Sequence, residues 1–273
     1  MAQKAPPRIY CLPATKAPVV AVFRRGPTTW SHVGRWDLVK HRYEPGAWLG
    51  GRIFPRRSDL SPDGRYLCYF AHQTSATWEH GDAYVAVSKL PWLTALHAFG
   101  TCGTWTRGYY FSGEKSPDSS EDLHLPIPYQ LCAIPVVQFA NERRRGWEEA
   151  PDSPPRDPKD IWDDRRNARM RKPQPGGHQV LCVESLGWAG GEFESGVDGL
   201  QVRYSLEDKN HLEFLDDFQW ADWDHQGRLL VATRSGRLQI WELGTKGQTL
   251  VFDENLSTLK PDLQPSPVWA QKW

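Results

Sequence analysis

The sequence predicts an all-β chain built on a repeated strand pair, and three observations predict it. Short apolar runs recur along the chain, each bounded by Gly, Pro, Asp or Ser. Glycine and proline number 23 and 22, a supply of turn residues that suits many short strands. Fourteen Trp stand against two Met, and bulky, flat, half-polar side chains suit sheet packing and contact surfaces.

The pairs follow one another in order. VVAVFRR (19–25) and HVGRWDL (32–38) flank a Gly-Pro loop. Ser58-Asp59-Leu60-Ser61-Pro62-Asp63-Gly64 leads into RYLCYFA (65–71), which pairs with AYVAVSKL (83–90) across a longer loop. WTRGYYF (105–111) and YQLCAIPVVQFA (129–140) lie either side of a Ser- and acid-rich loop, and HQVLCVESLG (178–187) precedes GLQVRYSLED (199–208). In the last pair, Asp224-His225-Gln226-Gly227 forms a tight turn, Arg228 to Thr233 a strand, and Ser235-Gly236 a hairpin loop before RLQIWEL (237–243). Leu238 and Ile240 face one side of that strand, Trp241 and Leu243 the other, so both sides are covered. Thr249 to Phe252 is a further strand.

Five pairs spaced roughly 40 to 65 residues apart match the length of propeller blades. A four-stranded blade cannot bury both faces alone, and stacking blades around an axis covers them. The expected architecture is therefore one small β-propeller of about five blades over residues 19–273, after an N-terminal extension at 1–18. TLVFDENL and SPVWAQKW near the C-terminus are placed to complete the first blade and close the ring. A β-sandwich with long loops fits the same strands. Residues 141–177 interrupt the pattern with Pro and charge, and read as an insertion or linker, with a short helix at 161–172 as a further option.

Asp-Leu-Ser-Pro-Asp-Gly before a strand, and Arg-Trp-Asp-Leu or Ile-Trp-Glu-Leu at the end of one, resemble the repeats of WD40-type β-propellers. The likeness is good at 58–71 and 221–243 and recognisable at 32–38; elsewhere it rests on strand spacing. It implies a propeller, and by analogy a protein-interaction role.

Composition narrows the function classes. Lys plus Arg equals Asp plus Glu at 33 each, so no global field points to nucleic acid or an acidic membrane. Cys11, Cys68, Cys102, Cys132 and Cys182 are odd in number and form no CxxC, which argues against a disulfide framework or zinc site and for a reducing, cytoplasmic setting. No signal peptide and no membrane-spanning segment are expected.

Catalytic motifs are few. GYYFSGEKS (108–116) approaches a phosphate loop, but Glu114 displaces Lys115 and Pro117 follows where a helix should start. His72, His80, Glu79 and Asp82 share one loop without metal-ligand spacing. Asp37, Asp59, Asp222 and Asp224 lie near strand ends and are the candidates for a carboxylate hydrolase acting on a carbohydrate-like substrate; each could equally cap backbone N–H groups. No catalytic residue, metal or cofactor is expected.

A protein partner is expected, because Trp48 in EPGAWLGG and Trp78 and Trp92 in or beside loops have no evident core position. Trp36 and Trp241 read instead as packing between blades. The basic segment 143–172 offers a nucleic-acid alternative through Arg143, Arg144, Arg145, Arg165, Arg166, Arg169, Arg171 and Lys172, although Glu148, Glu149, Asp157, Asp160, Asp163 and Asp164 lie among them.

Overall fold

A computed structural model describes residues 6–26, 29–74, 81–105, 107–113, 125–135, 137–155, 167–188, 200–208, 211–244 and 247–273. The fold class is the expected one, all-β and of the propeller type, with four blade-like antiparallel sheets in place of about five. Separate four- and five-stranded meanders distinguish it from a β-sandwich.

The first sheet runs β1 (Arg8–Pro13), β2 (Val19–Arg25), β3 (Trp30–Asp37), β4 (Arg42–Gly50). The second holds β5 (Arg52–Ile53), β6 (Asp59–Leu60), β7 (Tyr66–His72), β8 (Ala83–Lys89) and β9 (His97–Gly100). Then come a two-stranded ribbon, β10 (Tyr109–Ser112) with β11 (Gln130–Ala133), and one helical turn, α1 (Ala140–Arg143). The third sheet is β12 (Glu148–Glu149), β13 (Arg169–Pro173), β14 (Val180–Trp188), β15 (Leu200–Asp208), β16 (His211–Phe214). The fourth is β17 (Phe218–Trp223), β18 (Leu229–Thr233), β19 (Arg237–Gly244), β20 (Gly247–Asn255).

Four of the five sequence pairs are adjacent strands of the four sheets: β2 with β3, β7 with β8, β14 with β15, and β18 with β19. The fifth, at 105–140, reduces to four paired positions from Tyr109↔Ala133 to Ser112↔Gln130. Pro135 closes off its second strand, and a proline cannot continue a ladder. The ribbon is fastened instead to the second sheet, where the Asp59 carboxylate accepts the Phe111 N–H at 2.9 Å.

The chain divides into two compact units, one of Cys11–Pro135 with Lys260–Trp273, the other of Val136–Leu259 with Met1–Tyr10. Each half of the chain is thus completed by the opposite terminus. Residues 8–13, read as part of an extension, are the strand β1, and Ile9, Tyr10, Cys11 and Leu12 are buried. TLVFDENL does not complete the first sheet: it forms β20, the last strand of the fourth. SPVWAQKW belongs to the first unit as a 3₁₀ turn, Val268–Ala270, because Pro261, Pro265 and Pro267 deny it a ladder.

The described parts of 141–177 take part in the third sheet. They carry α1, β12 and β13, with Ala168 and Met170 fully buried against a core that includes Leu181, Val183 and Trp223. Ala168, Met170 and Lys172 alternate with Arg169 and Arg171, a two-residue period that the density of charge obscures in the sequence. The first unit has its own core of Phe54, Phe70, Val85, Val87, Phe111 and Leu131 among others.

Two turns organise these meanders by the same chemistry. Asp224 Oδ1 accepts the N–H groups of Gln226 and Arg228, each at 2.9 Å, while Oδ2 takes Arg228 Nε at 2.7 Å. Ser61 Oγ accepts the Tyr66 N–H at 2.9 Å and donates to Asp63 Oδ1 at 2.6 Å. Gly64 and Gly227 sit at φ of +73° and +76°, where a side chain is strained. Asp224→Ala strips three contacts from a buried turn. It is expected to lower unfolding free energy by about 1–3 kcal/mol, read from urea denaturation; an unchanged midpoint refutes the capping role.

Candidate interaction surface

The four aspartates considered for catalysis are all held in structural contacts. Asp37 Oδ1 accepts the N–H groups of Val39 and Lys40 at 3.1 and 3.0 Å, and Oδ2 faces Arg35. Burial opposes its ionisation, but the Lys40 N–H, Arg35 and the Val39 N–H outweigh it and hold the carboxyl below its ordinary value. Asp59 anchors the ribbon and Asp224 its turn. Asp222, buried, accepts Lys172 Nζ at 2.7 Å and its neighbour's Trp223 N–H at 2.8 Å. Among the described residues no group of three His, Cys, Asp or Glu is arranged to hold a metal. His72 Nε2 meets Asp82 at 3.2 Å; Glu79 and His80 lie outside the described residues, as does 114–116 of the phosphate-loop lookalike.

The basic segment is largely neutralised in place. Arg143 pairs with Glu149 at 2.8 Å, Arg169 with Asp152 and Glu207, Arg171 with Glu148 at 3.8 Å, and Lys172 with Asp222. Arg144 donates to Asn141 Oδ1 and Arg145 to the Asn141 carbonyl. Arg165 and Arg166 lie outside the described residues. Because Arg169, Arg171 and Lys172 stand on a strand rather than a loop, a phosphate backbone would have to displace these carboxylates one by one.

The Lys172–Asp222 pair permits a direct test of what these ion pairs do. Lys172→Met leaves a carboxylate that is 3% exposed without its cation. The expected loss is about 3–5 kcal/mol, largely recovered by adding Asp222→Asn, which keeps an acceptor for the Trp223 N–H. Equal instability of single and double variants in thermal unfolding disproves the pairing.

Of the tryptophans expected to bind a partner, Trp78 lies outside the described residues. Trp48, on β4, is half-buried and stacks on His32 with ring centroids 4.4 Å apart, and the Arg24 guanidinium lies 5.4 Å from its ring centre. Trp92 is half-buried just after β8; its backbone N–H donates to Lys89 O at 2.8 Å, and its indole N–H is buried without a hydrogen bond.

His32 is enclosed by Trp48, Tyr43 and Arg24, and its Nδ1 lies 3.1 Å from the Ala47 carbonyl. Burial lowers the imidazole to about 4; the Ala47 hydrogen bond opposes the shift and Arg24 adds to it. The folded state therefore binds the proton more weakly than the unfolded chain, whose imidazole titrates near 6.5. Stability is full above pH 6.5 and falls by about 3 kcal/mol as the pH drops to 4. Asp37, Asp63 and Asp253 sit below the ordinary 3.8 and act at lower pH. His32→Gln is expected to flatten the unfolding free energy between pH 6.5 and 4; an unchanged slope places the titration elsewhere.

Four exposed apolar side chains stand elsewhere, at one end of the first unit. Val39 is 69% exposed, Val268 71%, Trp269 51% and Trp273 40%. A chain of contacts places them together. Leu38 N–H bonds Pro18 O at 3.0 Å, Lys16 N–H bonds Pro62 O at 2.9 Å, and Leu90 N–H bonds Arg65 O at 2.9 Å. The tail is held to this end by Lys89 Nζ on Trp269 O at 3.1 Å, by Thr94 Oγ1 on Ser266 Oγ at 2.6 Å, and by Trp273 against Tyr66 at 6.1 Å. Strands β2, β4 and β7 begin here, and β3 and β8 end here.

No family model, curated protein or solved structure matches the chain. The surface must be read from its own residues. Sequence reasoning placed Trp269 and Trp273 in a closing strand and passed over Val39. The signal available was the proline spacing in PDLQPSPVW, which rules out a strand and so leaves a tryptophan with no blade to pack into.

Proposed function

We propose that the protein is a non-catalytic, WD40-like propeller that serves as a protein-interaction module or scaffold subunit. The observation that carries this reading is the ordered, exposed apolar end formed by Val39, Val268, Trp269 and Trp273. Exposed tryptophans beside aliphatics are the composition of interface centres, and a tail pinned by side-chain hydrogen bonds presents them with little entropy left to lose on binding. The repeated Asp- and Ser-capped turns support the WD40 likeness. All five cysteines are free, and Cys11, Cys68 and Cys182 are buried, which suits a reducing compartment such as the cytoplasm. No helix among the described residues is long and apolar enough to cross a membrane.

Capture from native lysate, followed by hydrogen-exchange mapping of the purified complex, tests the reading. Wild type is expected to retain a stoichiometric partner that protects residues 37–42 and 266–273. Trp269→Ala is expected to weaken that partner by about 30-fold, as removal of an interface anchor does. Undiminished capture by Trp269→Ala, or protection confined to other strands, removes this surface from the proposal.

A further inference from the structure

We infer that the occupant of this apolar end is an acidic polypeptide segment that carries aliphatic or aromatic anchors. The inference deepens the interaction-module reading and rests on it. Its basis is the charge around the exposed apolar side chains. Three carboxylates stand at this end, and all are engaged with their own neighbours: Asp37 and Glu44 face Arg35 at 3.4 and 3.7 Å, and Asp63 holds Arg65 at 2.6 Å. The remaining cations are Lys16, Lys40, Arg42 and Lys272, all exposed and without an ion pair among the described residues. Lys89 directs its ammonium to a carbonyl, Trp269 O, rather than to a carboxylate.

The placement of these cations follows from the fold. Lys16 lies in the loop that meets Pro62, Lys40 and Arg42 flank the β3–β4 reversal beside Val39, and Lys272 precedes the Trp273 ring that packs on Tyr66. The patch is thus apolar and positively charged at once: Asp37, already engaged by Arg35, is the acid nearest Lys40 and Arg42, so a partner's carboxylates would meet an excess of cations.

Two other anionic classes fit less well. Single-stranded nucleic acid gains from stacking on open aromatic faces, yet the two most exposed apolar side chains here, Val39 and Val268, are aliphatic, and Trp273 already lies against Tyr66. An anionic bilayer favours an unbroken cationic surface, whereas Asp37, Glu44 and Asp63 stand among these lysines.

The test selects a phage-displayed library of random linear peptides on the full-length protein, with Trp269→Ala as the counter-selection. Selected peptides are expected to be rich in Asp and Glu around one or two apolar anchors. Their affinity is expected to fall at least about tenfold in the combined variant Lys16→Glu, Lys40→Glu, Arg42→Glu, Lys272→Glu, and to weaken with added salt. Because Arg42 and Lys40 lie against Asp37, the thermal transition of the variant is measured first, and Lys16→Glu with Lys272→Glu, both outside the strands, is expected to keep the wild-type transition and still to weaken the peptides. Phosphatidylserine vesicles and poly(dT) are assayed beside the peptides. Neutral or basic selected peptides, acidic peptides that ignore the charge reversal, or binding of vesicles or poly(dT) in place of peptides each overturn the inference. If it fails while Trp269→Ala still loses the lysate partner, only the acidic class falls; if both fail, the interaction reading falls with it.

Discussion

Three of the four blade-like sheets in this protein depend on satisfying the backbone N–H groups that a tight reversal leaves out of the ladder. A buried N–H without an acceptor is expensive, so a chain of many short strands needs an acceptor at each turn. Short side chains supply them at three reversals: Asp37 at the end of β3, Ser61 with Asp63 before β7, and Asp224 before β18. Glycine completes two of these turns with a positive φ, and at Gly64 an added Cβ would stand 3.0 Å from that of Val19. The same acids that resemble catalytic candidates in a sequence are consumed by this requirement.

A second constraint concerns the chain ends. Residues 6–10 and 260–273 each belong with the half of the chain most distant from them in sequence. Ile9 N–H bonds Gln219 Oε1 at 3.0 Å, and the Tyr10 hydroxyl meets Glu142 Oε1 at 3.1 Å. Lys89 and Thr94 hold the C-terminal tail. Contacts of this sequence separation close long loops, so opening either unit requires release of a terminus as well as loss of a core. They also fix the position of the exposed tail, whose ordering is what makes a binding surface of it.

Much of the fold was legible because strand pairs with short loops declare themselves. Val19 to Arg25 against Ser31 to Asp37, and Leu229 to Ala232 against Leu238 to Trp241, are apolar runs separated by turn residues, and both are paired as read. Edge strands were harder. β12 is two glutamates and β16 is exposed along its length, while β13, flanked by β12 at two residues only, hides Met170 between arginines. An edge strand has one neighbour and a solvated outer side, so its composition approaches that of a loop. The interaction surface was illegible for a related reason. Exposure of a tryptophan is decided by tertiary neighbours: Trp48 finds His32 and Arg24, whereas Trp269, held by Lys89 at its carbonyl, stays 51% exposed.

Global neutrality concealed the distribution of charge. With 33 basic and 33 acidic residues the chain has no net field, and its densest basic run appeared the natural anion site. In the folded protein that run lies on a sheet whose facing strands bring carboxylates to it: Arg171 opposes Glu148 in register, and Arg169 reaches Glu207 from two strands away. Cross-strand pairing favours opposite charges directly opposite one another, so a basic strand within a sheet selects acidic neighbours and cancels itself. Turns and tails are under no such pressure. Lys16, Lys40 and Lys272 are sparse in sequence, yet they lie outside the strands, and Arg42, first in β4, stands opposite an Asp37 already engaged by Arg35. In a protein built of short strands, the cations available to a partner are those at strand ends, however few, rather than those most crowded along the chain.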